Sequence, residues 1–150
     1  MINRPRRNFA IMTVQTHAIE ISTGGNADIL KITERVIGVV SASELTSGII
    51  TLFSPSATSA LTTIEFEQGC VQDFQRLFDE IAGQTRQYTH NDLQGDGNGH
   101  SHVRAALLGP SLTIPFVDGR LTLGTWQEII FIDFDNRARQ RNLVAQVMGE

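Results

Sequence analysis

Two short runs rich in apolar and β-branched residues, 112–117 and 120–123, are separated only by Asp118-Gly119, and this dipeptide constrains the fold more than any other stretch. A two-residue connection between strands requires positive φ at its central positions, which Asp and Gly tolerate, and it leaves the strands no arrangement but antiparallel. The neighbouring sequence fits such a sheet. Residues 129–132 are apolar on both faces, as in a strand covered from each side, and residues 142–148 read as a closing strand. In the N-terminal half, residues 11–22 alternate, residues 48–54 form a short apolar run expected to be a central, buried strand, and residues 60–66 can extend again. Residues 102–109 also read as strand.

Two segments carry helical spacing. After Gly24-Gly25, Asn26 is placed to cap a helix over residues 27–43, with Ile29, Ile32, Val36, Val39 and Val40 on one side. Val71, Phe74, Leu77, Phe78 and Ile81 make an apolar stripe on a second helix over residues 69–82. The fold class that results is α+β, mostly antiparallel β-sheet with two covering helices. It is expected as one domain over residues 11–150, preceded by a loosely ordered basic leader, residues 1–10, with Arg4, Arg6 and Arg7.

Charge and cysteine content narrow the function classes. A formal net charge of −4 gives no electrostatic basis for non-specific nucleic-acid binding. No apolar run approaches the ~20 residues of a membrane-spanning helix, and no apolar segment follows the basic leader as it would in a signal peptide. Cys70 stands alone, so no intrachain disulfide forms, and it reads as a small packed residue rather than a nucleophile. A cytoplasmic protein without nucleic-acid or membrane partners is the expectation.

Chemistry concentrates in residues 90–104, where three of the four histidines are interleaved with carboxylates, amides and glycines. If a strand has begun at His100, then His100 and His102 project from one face, and His90 folds back across the glycine-rich loop to join them. Three imidazoles leaving an open position suit a divalent metal, with zinc or magnesium as candidates, and Asp96 or Glu65 is placed to complete or orient the set. Two plainer readings stand beside this: histidines that bond the loop's own backbone, and histidines that carry protons without a metal. Glu65 reads equally as a solvated carboxylate beside Glu67, and His17 as a packed or surface residue. Arg104, in phase with His102, is the favoured anion partner. Arg137, Arg139 and Arg141 alternate and offer a phosphate row, although Arg139 and Arg141 read better as a solvated, charged strand edge.

The segments Asp96-Gly-Asn-Gly-His-Ser-His-Val-Arg-Ala-Ala-Leu-Leu-Gly-Pro and Asp118-Gly-Arg-Leu-Thr-Leu-Gly-Thr-Trp-Gln, with the stretch from Thr58 to Glu65 and the closing Met148-Gly149-Glu150, together resemble the YjbQ-like family from about residue 12 onward. The resemblance implies a compact α+β fold assembling as a homotrimer. It also implies a secondary thiamine-phosphate synthase activity, a transferase reaction joining a pyrimidine pyrophosphate to a thiazole phosphate, so that the ligand is a small phosphorylated molecule. The positions that match are Glu65, His90, His102, Trp126 and Gln127, with Asn98 and His100 matching one branch. Ser56 stands where many members have histidine, and the sequence near Asp133 also departs. On this reading His102, Glu65 and Asp96 are catalytic, Asn98, Arg104, Trp126, Gln127 and Arg137 hold substrate, and His90, His100 and His102 bind metal. The alternatives are a metal-dependent hydrolase of a small molecule and a non-catalytic trimeric metal- or ligand-binding protein.

Overall fold

A computed structural model describes residues 11–150. The basic leader, residues 1–10, lies outside the described residues. Two antiparallel sheets face each other. The larger has five strands in the order β1 (Thr13–Thr23), β8 (Arg139–Gly149), β3 (Ser47–Phe53), β5 (Ser111–Val117), β6 (Arg120–Leu121). The smaller has three, β2 (Asp28–Lys31), β7 (Gln127–Asp133) and β4 (Ser59–Glu65), with β7 in the middle. The Asp118-Gly119 turn forms as its chemistry requires, with φ of 52° and 69°, and it pairs Val117 with Arg120.

The principal core lies between the sheets, where Ile19, Ile21, Ile50, Leu52, Phe116, Leu143 and Val147 of the larger meet Leu61, Ile129 and Phe131 of the smaller. Helix α1 (Thr33–Ser43) adds Val36 and Val40 to it. The other face of the three-stranded sheet is also covered: Ile130 and Ile132 pack with Phe78 of α2 (Gln68–Ile81) and Ala105 of α4 (Gly99–Leu108). Strand β7 is therefore apolar on both faces because each face has its own core. Helix α2 carries its stripe inward through Phe78, which meets Phe74 and Phe134 edge-on at centroid distances of 4.9 and 4.7 Å. Its first turn is capped by the Glu67 carboxylate, which accepts from the amides of Gly69 and Cys70.

Three expectations are corrected. The helix over residues 27–43 begins only at Thr33, because Asp28–Lys31 extends and pairs with β7, and Asn26 and Ala27 take left-handed φ of 55° and 61° at the turn instead of capping. Strand β3 is central in its sheet but buried on one face only, with Ile49 and Phe53 turned outward. The third correction bears on function. Residues 89–94 and 99–108 are helices, α3 (Thr89–Gln94) and α4, so the described residues hold four helices and not two. Ser101, Arg104 and Ala105 are buried and Leu108 half-buried, a helical repeat of i, i+3, i+4 and i+7. Alanine, leucine and arginine are strong helix formers, and the sheet face above Ile130 and Ile132 receives that stripe.

Candidate metal centre

The loop between α3 and α4 gathers its polar groups because both helices are pinned at their ends. Gly95 closes α3 in the left-handed conformation, φ 73°, with its amide donating to the Asn91 carbonyl. The Asn91 side chain accepts from the Gly99 amide at 2.8 Å, tying the end of α3 to the start of α4. A Cβ at Gly99 would lie 2.6 Å from Tyr88 Cβ, so only glycine lets the two helices approach this closely. The loop is also tied to the sheet. The Asn136 side-chain amide donates to the Asp96 carbonyl at 2.9 Å, and the Asn136 backbone amide donates to Asp135 at 2.9 Å.

His90 on α3, Asp96 in the loop and His102 on α4 converge, each offering a ligand atom, and these atoms all lie within 4.8 Å of one another. The two imidazole rings are 4.5 Å apart between centroids. His90 Nε2 is 3.2 Å from Asp96 Oδ1. The Asn98 amide can be set in two ways. With its nitrogen toward the cluster it donates to Asp96 at 2.9 and 3.2 Å and lies 3.2 Å from His90 Nε2, whereas the reverse setting reaches only Asp135, at 3.5 Å. The first satisfies more of the buried amide's capacity and is the favoured setting. It leaves His90 Nε2 to accept through its lone pair, the same lone pair a metal ion would take.

Two imidazole nitrogens and one carboxylate oxygen fit a borderline divalent cation such as zinc better than magnesium, which prefers oxygen ligands and retained water. His90 and His102 are half-buried and Asp96 is exposed, so the cluster opens to solvent on one side.

His100 is not part of this cluster. On a helix, residues two apart point about 200° from each other, so the spacing that would align His100 with His102 on a strand separates them on α4. His100 is 2% exposed beside Tyr88, with Nε2 3.2 Å from the Ser101 hydroxyl and Nδ1 unpartnered. Its burial, reinforced by the Arg104 charge, lowers its pKa and keeps the ring neutral.

Arg104 is also turned inward. It is 0% exposed, donates from Nε to the Ala82 carbonyl at 2.9 Å and from Nη2 to Asp79 at 2.7 Å, and lies over the rings of Phe78 and Phe134. It fastens α4 to the C-terminus of α2, and its burial keeps it from a solvent-borne anion. Glu65, Trp126 and Gln127 sit together elsewhere. Glu65 pairs with Gln127 at one end of β4 and β7, while the cluster borders the other end, where Ser59 pairs with Asp133. Six residues of strand make that separation about 20 Å within one chain. Gln127 is engaged with Thr63 and the Gly124 amide, and Trp126 is 71% exposed.

The structure adds a set of residues that alternation in the sequence had assigned to a solvated edge. Asp133 and Asp135 are buried, and Arg141 donates to both oxygens of Asp133 at 2.8 Å and to the hydroxyls of Ser56 and Thr58 at 2.9 Å. Arg139 donates to Asp135 at 2.6 Å. Burial works to raise the Asp135 pKa, but the Arg139 hydrogen bond, the Asn136 amide and the Arg139 charge outweigh it and hold the carboxyl below its ordinary value. The signal was present as Asp-x-Asp followed by Arg-x-Arg, two alternating pairs of opposite charge on adjoining strand ends. Ser56 is a partner of Arg141.

An antiparallel α+β protein of two facing sheets, with helices on the outer face of the smaller one and a histidine and carboxylate cluster in a helix–loop–helix, is the class these features define. The family model described as UPF0047 protein YjbQ-like matches residues 17–150. A UPF0047 protein of Methanothermobacter thermautotrophicus is 34% identical over 139 residues, 93% of this chain and 95% of that protein. YugU of Bacillus subtilis, also described as a UPF0047 protein, is 30% identical over 132 residues, covering 87% and 97%. Among solved structures, a protein of Sulfolobus solfataricus described as YbjQ-like and of unknown function superposes with a TM-score of 0.88 at 30% identity, over 93% of this chain and all of that one. A hypothetical protein of Aeropyrum pernix gives 0.84 at 29% identity, over 91% and 99%. The chain belongs to the UPF0047, YjbQ-like family. Among the described residues, no helix is long and apolar enough to cross a membrane.

Proposed function

We propose that His90, Asp96 and His102 hold a divalent cation of the zinc type, and that the protein uses it in a reaction of a small phosphorylated molecule. The observation that carries this reading is the convergence of three ligand atoms within 4.8 Å on a solvent-facing side of the fold. Bound there, the cation would supply positive charge to a departing phosphate oxygen and acidify a coordinated water. The chain's own residues do the rest. Asn98 orients the Asp96 carboxylate by donating to it, Asn136 holds the loop backbone, and Arg137 and Arg139 border the neighbouring cavity with cationic groups.

The reaction to test first is the thiamine-phosphate synthase transfer that the family resemblance implies, joining a pyrimidine pyrophosphate to a thiazole phosphate. The decisive assay supplies both substrates to zinc-loaded protein, with the thiazole phosphate omitted as control. Product only in the complete mixture supports transfer, and no product across a range of metal concentrations rejects it. Hydrolysis by metal-bound water is the second reading, favoured by a cluster of three protein ligands that leaves room for water. Phosphate released from a single substrate in the control distinguishes it. Metal analysis of untagged protein tests both against a non-catalytic binding protein.

The reading includes assembly as a homotrimer, supported by the exposed Leu77, Ile81, Val103, Leu107 and Trp126. Contact between copies is also a route by which Glu65, Trp126 and Gln127 reach a site they do not reach within one chain. A monomeric mass in analytical ultracentrifugation rejects it.

A further inference from the structure

Ser56 borders two cavities. One, of about 290 Å³, it shares with His102, and the other walls there include Ala57, Ala105, Ala106 and Pro110. The second, of about 230 Å³, it shares with Arg141. One side chain thus neighbours both a candidate metal ligand and a guanidinium. Its hydrogen bonds are complete on the guanidinium side only. A serine oxygen has two lone pairs and one proton. Both lone pairs are taken, because Arg141 Nη1 donates to Ser56 Oγ at 2.9 Å and the Thr58 backbone amide donates at 3.2 Å. The proton has no partner of that quality. Thr58 Oγ1 is 3.4 Å away and already accepts from Arg141 Nη2 at 2.9 Å, whereas hydroxyl pairs ordinarily lie at about 2.5–3.0 Å. Ser56 is left as a donor to the cavity, and the cation bonded to its oxygen strengthens it in that role. The other hydroxyl on the cavity wall, that of Ser59, is paired with Ser54 at 2.6 Å.

The charge of the cavity is equally specific. No arginine or lysine lines it. Arg141 lends it no net charge, since Arg139 and Arg141 stand against the buried Asp133 and Asp135. A divalent ion on two neutral imidazoles and one carboxylate carries a single net positive charge. A monoanion cancels that charge, whereas a dianion would bring an unmatched charge against apolar walls.

We infer that the cavity beside His102 binds a small aliphatic monocarboxylate, with one oxygen on the cation held by His90, Asp96 and His102, the other accepting from Ser56, and the tail against Ala57, Ala106 and Pro110. The inference rests on the metal-centre reading and assigns to that centre a ligand class apart from the phosphorylated molecule.

Untagged protein of full length is loaded with cobalt(II) in place of zinc, its cobalt content is determined, and its visible absorption is titrated with acetate, butyrate and imidazole. Butyrate should bind at least about fivefold more tightly than acetate, since each fully buried methylene is worth about fourfold. Ser56→Ala should weaken both carboxylates by about tenfold or more, the loss of a hydrogen bond to a charged group. Imidazole should be unaffected, because once bound through one nitrogen it offers only an N–H on the other. A merely structural role for Ser56 would weaken all three probes alike. Ala106→Leu, at an exposed position, should remove the advantage of butyrate and leave acetate unchanged, which tests the site even if Ser56→Ala, by stranding Arg141, fails to fold. Carboxylate affinity indifferent to Ser56→Ala, an equal loss for imidazole, or equal affinity for acetate and butyrate in cobalt-bearing protein overturns the inference and leaves the metal centre standing. Protein that takes up no cobalt overturns the metal centre, and the inference with it.

Discussion

Replacing Arg104 separates a structural cation from a ligand-binding one, and the structure sets the size of the effect. The Asp79 carboxylate is 65% exposed, so its ion pair with Arg104 is screened by solvent and contributes about 0–1 kcal/mol. The bond to the Ala82 carbonyl is different, because that carbonyl lies at the C-terminal end of α2 and receives the buried guanidinium at 2.9 Å. A charged hydrogen bond of this kind contributes about 1.5–3 kcal/mol. The faces of Phe78 and Phe134, 5.9 and 6.0 Å from the guanidinium carbon, add further attraction. Against these stands the desolvation of the guanidinium, which an apolar side chain of similar length would not incur.

Arg104→Met keeps most of the volume and relieves that desolvation, but it strands the Ala82 carbonyl. The net loss is about 1–3 kcal/mol, or about 2–12 °C in melting temperature for a chain of this size. Arg104→Ala adds a cavity and costs about 2 kcal/mol more. Asp79→Ala costs no more than about 1 kcal/mol. The expected order of damage is therefore Asp79→Ala, then Arg104→Met, then Arg104→Ala, with phosphate affinity unchanged in all three. Far-ultraviolet circular dichroism in urea is the appropriate assay, since Trp126 is already exposed in the folded state and its fluorescence reports little. If Arg104→Met were as stable as the parent and had lost phosphate binding, Arg104 would be a ligand-binding residue and the fastening role would be refuted.

His102→Ala should lower zinc affinity by more than about 100-fold in equilibrium dialysis, while His100→Ala should retain zinc and lose thermal stability; loss of zinc in both, with the fold intact, would contradict the helical separation of the two rings. Gly99→Ala should push α3 away from α4 through the Tyr88 and Asn91 contacts, reducing zinc affinity while circular dichroism stays close to that of the parent. Asp135 has a lowered folded pKa, so its contribution to stability is present above the ordinary carboxyl value of 3.8 and is lost as pH falls below that toward the folded value. Asp135→Asn should therefore melt well below the parent at about pH 7, with the gap narrowing at about pH 3; a gap independent of pH would show that the Arg139 pairing is not its source.

Most of the sheet was legible because its signals are local. Asp118-Gly119 dictates its own turn, and the doubly apolar run at 129–132 announces two covering layers, which Phe131 and Ile130 then meet on opposite faces. The second helix was legible for the same reason, although of the five apolar residues that mark its stripe only Phe78 is buried, and Leu77 and Ile81 stand exposed. Helix α1 was read too long because Ile29 serves a strand and a helix equally well in periodicity, and only pairing with Ile132 of β7 settles which. Helix α4 was read as a strand because its buried stripe is interrupted by a charge. Arg104 occupies the position where periodicity would register an apolar residue, and nothing local reveals that Ala82 and Asp79 will satisfy it.

That single charged position also decided how the histidines could be read. The residue types in the loop pointed to chemistry without any structure, since no packed core needs imidazoles, carboxylates and amides interleaved with glycine. Which imidazoles meet depends on whether Gly99–Leu108 repeats every two residues or every 3.6. On the helix that forms, His102 turns to the loop and His100 turns beneath it, so the third candidate ligand is Asp96 and the candidate set changes from three nitrogens to two nitrogens and an oxygen. The change is more than a substitution of one ligand. A carboxylate brings negative charge to the cluster and can be oriented by an amide, and Asn98 stands within 2.9 Å to do so. The buried Arg104 that hid the helix ties α4 to the end of α2 through Ala82 and Asp79, while the stripe on Ile130 and Ile132 and the Asn91–Gly99 bond set its place beside the loop.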